Sequence, residues 1–357
     1  MDTLYAIFLV GAAVVLSTAF TWALVNFKTF LTPDCEVTPR SLHQQAVPRG
    51  GGLAIIAAWL ICGFAAWRLG LLPENVAAPW GLAMVLLGVV SYIDDHRHVP
   101  SLVRLLAHTL AVGVVVFWFQ FPIHGVLPGL HLEAGTPAVL FALIFGVWMV
   151  NLYNFMDGMD GSAGGMAIFG FGALAIMGWI QGHEGFMIAN LLVVACVLGF
   201  LVFNFPPAKI FLGDIGSTAL GLLAAAYSLW ASGNELIPLW ISALAFSPFI
   251  VDATVTLLMR AARGEKVWEA HREHLFQRLI CLYPDRSHAR ALKVAYILMF
   301  GSGLSAILAL NGSVGAQWLI LVLWALIYGA LIWAVGNLRG IGIAPGNIDK
   351  GMANSAH

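Results

Sequence analysis

The sequence predicts an all-α polytopic membrane protein of about eleven transmembrane helices, with the N-terminus extracytoplasmic and the C-terminus cytoplasmic. Three observations carry this. Of 357 residues 60% are hydrophobic and only 10% charged, more apolar surface than one soluble core can hide. Apolar runs of roughly 20 residues, the length of one helical crossing, recur between short polar breaks. When those breaks sort the basic residues, nearly all fall on one face. Strand alternation is absent, which excludes a β-barrel.

The first run, from Leu4 to about Val25, follows Asp2, and no Lys or Arg precedes Lys28. That is the reverse of a signal peptide's charged start, so the run reads as a helix that stays. Further helices are predicted near 51–69, 77–93, 102–120, 137–152, 163–180, 186–203, 216–231, 236–259, 293–310 and 316–336. Pro238 and Pro248 predict a kink in the ninth. The breaks fall alternately on two faces, and of the 17 Lys and Arg residues only Arg68 lies with the second set. The positive-inside rule makes the first set cytoplasmic: 26–50, 94–101, 153–162, 204–215, 260–292 and the tail from Asn337. Cys62 and Cys196 lie in apolar stretches, Cys35 and Cys281 in polar ones, and no CxxC or CxxH spacing joins them. They read as reduced and structural. Residues 1–337 form a single transmembrane domain, and 338–357 a flexible tail.

Asp94, Asp95, Asp157, Asp160 and Asp214 sit in three loops that parity places on the cytoplasmic face. The segments are SYIDDHRHVP at 91–100, NLYNFMDGMDGSAGG at 151–165 and FNFPPAKIFLGDIGS at 203–217. A carboxylate at the end of an apolar helix costs free energy unless it is solvated, paired or bound to a cation, so several together imply a cation. Mg²⁺ suits hard oxygen ligands, with Mn²⁺ as an alternative ion. The glycines at 158, 161, 164, 165, 213 and 216 would let backbone N–H groups approach an anion. Asp and Gly are also ordinary loop and cap residues, and for any one pair that plain reading is at least as strong. The opposite breaks, however, hold only the isolated acids Glu74, Glu133, Glu184 and Glu235.

The loop 260–292 carries eight Lys or Arg against four acids when Lys293 is counted, a basic surface suited to anionic headgroups or a diphosphate. Within it EKVWEAHREHLFQRL has helical periodicity, which sets His271 and His274 on one side. No Cys or HExxH context makes that pair a zinc site. HQQAVPRGGGLAI at 43–55 places Arg49 and three glycines before a helix, a weak anion-site signal by itself. Asp252 lies inside the ninth helix, where it would orient a neighbour or bond within the bundle.

PRGGG, the Asp94–Asp95 pair, NFMDGMDG, FLGDIGS and the histidine loop together resemble the polyprenyl-phosphate N-acetylhexosamine-1-phosphate transferase family, over nearly the whole chain and in the family's order. The resemblance implies a membrane enzyme in which undecaprenyl phosphate attacks a UDP-N-acetylhexosamine and UMP leaves. It implies that Asp214 is the Mg²⁺ ligand, with Asp157 near the metal. Asp94 would handle the lipid phosphate beside Asp95. Arg49, Asn154, Asp157, Asp160, Asn204 and Phe211 would form the nucleotide-sugar site, with Phe211 stacking on uracil, and His271 and His274 would contact the diphosphate. HREH stands where the peptidoglycan branch has three consecutive histidines, so the chain looks more like the branch that starts O-antigen-type glycans. That favours GlcNAc, QuiNAc or FucNAc over a MurNAc-pentapeptide. The implied place is the bacterial inner membrane, multi-pass, with lipid as partner, no nucleic acid, and room for a homodimer.

Two other classes compete. An ion-coupled transporter would place its acids near the membrane midplane, whereas nearly all of these sit at helix ends. An intramembrane prenyltransferase would space acids as in DDxxD, but position 98 is His.

Overall fold

The computed structural model describes residues 2–27, 47–97, 99–118, 122–265, 273–282 and 288–337. Its helices are α1 (Asp2–Asn26), α2 (Gly52–Arg68), α3 (Glu74–His96), α4 (Ser101–Trp118), α5 (Thr136–Met156), α6 (Ser162–Ile180) and α7 (Glu184–Asn204). They continue with α8 (Gly213–Gly233), α9 (Leu239–Ala245), α10 (Ser247–Ala262), α11 (Leu275–Leu282), α12 (His288–Ala309) and α13 (Val314–Asn337). The chain is an all-α polytopic membrane protein. Among the described residues nine helices are long and apolar enough to cross a bilayer, and the α9–α10 pair makes a tenth if counted as one span. The 17-residue α2 is a shorter apolar helix.

Each apolar run read from the sequence falls on one of these helices, with two differences. The ninth run is broken: α9 and α10 meet at Phe246 at an angle of 85°. Pro248 sits in the first turn of α10, where its missing N–H costs nothing, so a new helix starts there. The second difference is a small antiparallel hairpin, β1 (Ile123–Leu127) with β2 (Leu130–Leu132), in a stretch read as loop. Pro128 and Gly129 make its turn, with Gly129 at φ 78°, and its strands are too short to show alternation. The segments 28–46 and 338–357, and with them the tail proposed from sequence, lie outside the described residues.

Nearly every residue of α8 is buried, and α2, α3, α4 and α5 pack around it. Small residues permit this, because without a hydrophobic drive between helices in lipid, close backbone packing holds the bundle. A Cβ on Gly221 would stand 2.7 Å from the Met149 carbonyl oxygen. One on Gly52 would stand 2.2 Å from the Gly216 backbone, where the first turns of α2 and α8 cross. Gly52→Ala is therefore expected to cost about 1–3 kcal/mol by overpacking. Thermal unfolding in detergent checks this, since an unchanged Tm would mean that the crossing is slack. The outer helices do the reverse: α13 exposes Leu319, Leu326 and Trp333, as a lipid-facing surface should.

The two ends of the bundle differ in chemistry. At one end the C-termini of α3, α5 and α7 meet the N-termini of α2, α6 and α8, and here the acidic segments come together. At the other end the hairpin, the α6–α7 turn and the α8–α9 turn meet, with Gln181 donating to Leu236 and Ser232 to His124.

Candidate active site

The glycine-rich and FLGD segments form one seam. The Phe211 N–H donates to the Pro48 carbonyl at 2.9 Å, and the Phe211 carbonyl accepts from Gly50 and Gly51 at 3.2 and 2.9 Å. Gly52 donates to the Leu212 carbonyl at 2.8 Å. A Cβ on Gly51 would stand 2.2 Å from the Phe200 ring, so these glycines let backbones meet. Three of the six glycines predicted to let N–H groups approach an anion stand in close packing. A Cβ on Gly164 would touch Leu201, one on Gly165 the Tyr296 ring, and one on Gly216 the Leu212 side chain and Gly52.

Beyond the seam, the first turn of α8 presents unpaired N–H groups, as every helix start does. The Asp214 and Ile215 N–H groups donate to the two oxygens of Asp95 at 3.0 and 3.2 Å. Arg49 lies 3.9 Å from the same carboxylate. Asp95 thus caps α8 from the end of α3 and fixes where Asp214 stands. Its neighbour Asp94 accepts the Val99 N–H at 2.9 Å and the Arg104 guanidinium at 2.9 Å. Arg104 also reaches Asp214 at 3.7 Å. Asp214 lies within hydrogen-bond reach of both Asp94 and Asn154, and Asn154 donates to Ser217 at 3.0 Å. Asp157 follows the end of α5, where the protein's enclosure first and the Asp214 charge second push its carboxyl up to about 7, against the pull of Arg49.

Asp94, Asp95, Asn154, Asp157, Asp214 and Arg49 are thus brought together. Asp160 and Asn204 stand beside them in a loop clamp. Buried Asp160 accepts the Ala208 N–H at 3.1 Å. Asn204 accepts from Gly161 at 3.0 Å and donates to the Ile210 carbonyl at 2.8 Å, tying the 157–161 loop to the 205–210 loop. Gly161 is left-handed at φ 72°, which glycine adopts without strain. The Phe211 ring is half-buried beside the seam.

His274 is 3% exposed, and its Nδ1 lies 3.1 Å from Asp252. Asp252 also accepts the Leu275 and Phe276 N–H groups at 3.0 and 3.2 Å, so it caps α11 and holds the histidine. His271 lies outside the described residues. Part of the basic loop is internally neutralised, since Arg260, Arg263 and Arg278 all pair with Glu273.

Arg104 is the candidate-site residue that the sequence reading missed. A cation inside an apolar run is the signal that marks it, because such a charge is costly without a partner. It lines a cleft of about 160 Å³ with Asp94, Ser101, His108, Asn154 and Asp214. Leu105, Asn151 and Phe155 line both this cleft and an open apolar groove of about 560 Å³ between α4, α5 and Leu257 of α10. Polar cleft and apolar groove are therefore contiguous.

A divalent cation fits this chemistry. Arg104 pairs with Asp94 and reaches Asp214, and the Asp214 charge adds to the enclosure that pushes Asp157 up. Among the described residues no three His, Cys, Asp or Glu enclose an ion by themselves. An ion here would need ligands beyond protein carboxylates, and Mg²⁺ takes one or two of those and completes its shell with water and substrate phosphate.

An acidic cleft at the end of an apolar bundle, continuous with a groove facing the bilayer, defines a membrane protein that works where lipid meets water. Comparison with known sequences agrees. The profile of glycosyl transferase family 4 matches residues 78–232. A probable undecaprenyl-phosphate N-acetylglucosaminyl 1-phosphate transferase of Bacillus subtilis is 28% identical over 77% of this chain and 76% of its own. The decaprenyl-phosphate N-acetylglucosaminephosphotransferase of Mycobacterium tuberculosis is 30% identical over 74% of each chain. A phospho-N-acetylmuramoyl-pentapeptide-transferase of Lactiplantibacillus plantarum is 31% identical over 61% of this chain and 70% of its own. The chain belongs to the polyprenyl-phosphate N-acetylhexosamine-1-phosphate transferase family, as a multi-pass protein of the bacterial inner membrane.

Proposed function

We propose that the chain transfers N-acetylhexosamine-1-phosphate from a UDP-sugar of the GlcNAc, QuiNAc or FucNAc type to undecaprenyl phosphate at the cytoplasmic face, with Mg²⁺ and release of UMP. The lipid-linked product starts O-antigen or another cell-envelope polysaccharide. The observation that carries this reading is the continuity of the Asp94–Arg104–Asp214 cleft with the apolar groove. An isoprenoid tail lies in the groove, and its phosphate arrives beside Arg104. The HREH segment and the N-acetylglucosamine-1-phosphate transferases among the relatives favour the smaller sugar.

Phosphoryl transfer asks a protein mainly to align nucleophile and leaving group and to absorb charge. A lipid phosphate is already ionised near neutral pH and needs little help from a base. Asp94, held by the Val99 N–H and Arg104, positions that guanidinium for the incoming phosphate. Asp95 fixes the first turn of α8, and with it Asp214. Asn154, Asp157 and Arg49 border the place where the diphosphate lies, and Asp160 and Asn204 keep the surrounding loops in position. Asp214 and Asp157 would hold Mg²⁺, which would supply charge neutralisation for the diphosphate.

Two expectations follow from the site. Val147→Phe narrows the groove but lies away from the acidic cleft, so it should raise KM for undecaprenyl phosphate and leave KM for the UDP-sugar alone. Steady-state kinetics with each substrate varied in turn checks this, and equal changes in both constants would remove the tail from the groove. The second concerns pH. Asp157 is protonated below about 7 and ionised above it, and a cation binds only the ionised form. Raising Mg²⁺ should therefore shift the acidic limb of kcat/KM to lower pH. A limb that stays fixed at all Mg²⁺ concentrations would take Asp157 out of the metal site.

A further inference from the structure

The opposite end of the bundle holds a second cavity that the proposed reaction does not use. It has a volume of about 280 Å³ and lies between the end of α2 and the start of α3. Glu74 on its wall is 20 residues from Asp94 along α3, about 30 Å at the helical rise. The cavity therefore belongs to the other membrane interface. Its inner wall is aromatic: Trp59, Trp80 and Tyr227, with the Trp59 indole N–H donating to the Tyr227 hydroxyl at 3.3 Å. Its outer rim is Phe64 and Leu82, which are 60% and 61% exposed. These face the lipid, so the cavity opens sideways into the bilayer rather than upward into water.

Two opposite charges flank the opening. Glu74 lines it, and Arg68 lies over the ring of Trp67, another lining residue, at 5.7 Å from the centroid. Among the described residues neither has an ionic partner in the protein. Arg68 is also the one basic residue that the charge distribution leaves on this face. The first turn of a helix is an ordinary place for a glutamate, and indole rings are ordinary interface anchors. Neither fact explains a cavity between them, nor a cation and an anion set about its mouth without pairing each other.

We propose that this cavity is a binding site for a zwitterionic phospholipid of the leaflet opposite the catalytic cleft. One acyl chain enters between α2 and α3 against the aromatic wall, the phosphate meets Arg68 and the ammonium meets Glu74. A phosphatidylethanolamine satisfies both charges. A phosphatidylglycerol satisfies Arg68 alone and leaves Glu74 beside an anion. The site is independent of the phosphosugar reaction.

Two glycines make it testable. Gly63 and Gly81 line the cavity, and a Cβ on either would meet nothing within 4 Å. Leucine at both positions fills the space with better helix formers and no backbone clash. The experiment is native mass spectrometry of the full chain in detergent, titrated with equal amounts of phosphatidylethanolamine and phosphatidylglycerol. Wild type should favour phosphatidylethanolamine by about 2- to 5-fold, the size that one interfacial ion pair gives. Gly63→Leu with Gly81→Leu should lose that bound lipid. Glu74→Gln should keep a lipid but lose the preference, and it stands as the test if the leucine variant does not fold. Equal retention of the two lipids by wild type, an unaltered preference in Glu74→Gln, or undiminished phosphatidylethanolamine in the leucine variant would overturn the proposal. So would displacement of the phospholipid by undecaprenyl phosphate, which would make the cavity an isoprenoid site.

Discussion

Asp214→Asn is expected to abolish turnover at every Mg²⁺ concentration while the protein still folds in detergent. The carboxylate stands in the first turn of α8, within hydrogen-bond reach of Asn154 and Asp94 and 3.7 Å from Arg104. Asparagine keeps the size and hydrogen-bonding capacity of the side chain, and Asp95 still caps the helix through backbone groups that the substitution leaves intact. What disappears is the anion. If that anion holds the cation that neutralises the diphosphate, the loss falls on the transition state and should reach about 10³-fold or more. Saturating Mg²⁺ cannot restore a missing ligand charge. Release of UMP measured across a Mg²⁺ series, beside a melting curve for the same preparation, separates the outcomes. Near-normal turnover removes Asp214 from the metal site, and a collapsed melting curve makes its part structural.

Arg104→Ala is expected to have the next largest effect, on lipid-phosphate handling. The guanidinium is the cation between Asp94 and Asp214, and it stands where the polar cleft runs into the apolar groove. Without it two neighbouring carboxylates face the incoming phosphate with no positive charge between them, so repulsion replaces attraction. A loss of about 10²–10³-fold in kcat/KM for undecaprenyl phosphate is expected. Arg104→Lys should recover part of it, because charge returns but the planar fork that spans two partners does not. Full activity in Arg104→Ala would show that the phosphate is held elsewhere.

Much of this was legible in the sequence. The apolar runs give the helices because a bilayer sets both their length and their composition. The acids at 94, 95, 157 and 214, which the parity of the breaks puts on one face, meet at one end of the bundle. Long-range contacts were harder to read. Nothing local says that Asp95 caps α8 from more than a hundred residues away, or that Asn204 clasps Gly161. The glycines look alike in sequence whether they admit an anion or a neighbouring helix, and contacts such as the Gly52–Gly216 crossing show which ones pack. Arg104 reads as a blemish in an apolar run until Asp94 is seen beside it. The sequence leaves Asp252 to orient a neighbour in the site or to bond within the bundle; it accepts from Thr256 of its own helix, holds His274 and caps α11. The broken ninth run follows from Pro248, but an angle of 85° depends on packing that no proline states.

The most direct measurement is of the leaving group. Purified protein is incubated with Mg²⁺, undecaprenyl phosphate and a panel of UDP-N-acetylhexosamines, and the released nucleotide is identified. Cleavage of the UDP diphosphate predicts UMP, in step with a lipid diphosphate sugar and dependent on both the lipid and the ion. Release of UDP, or turnover indifferent to undecaprenyl phosphate, would contradict the proposed transfer.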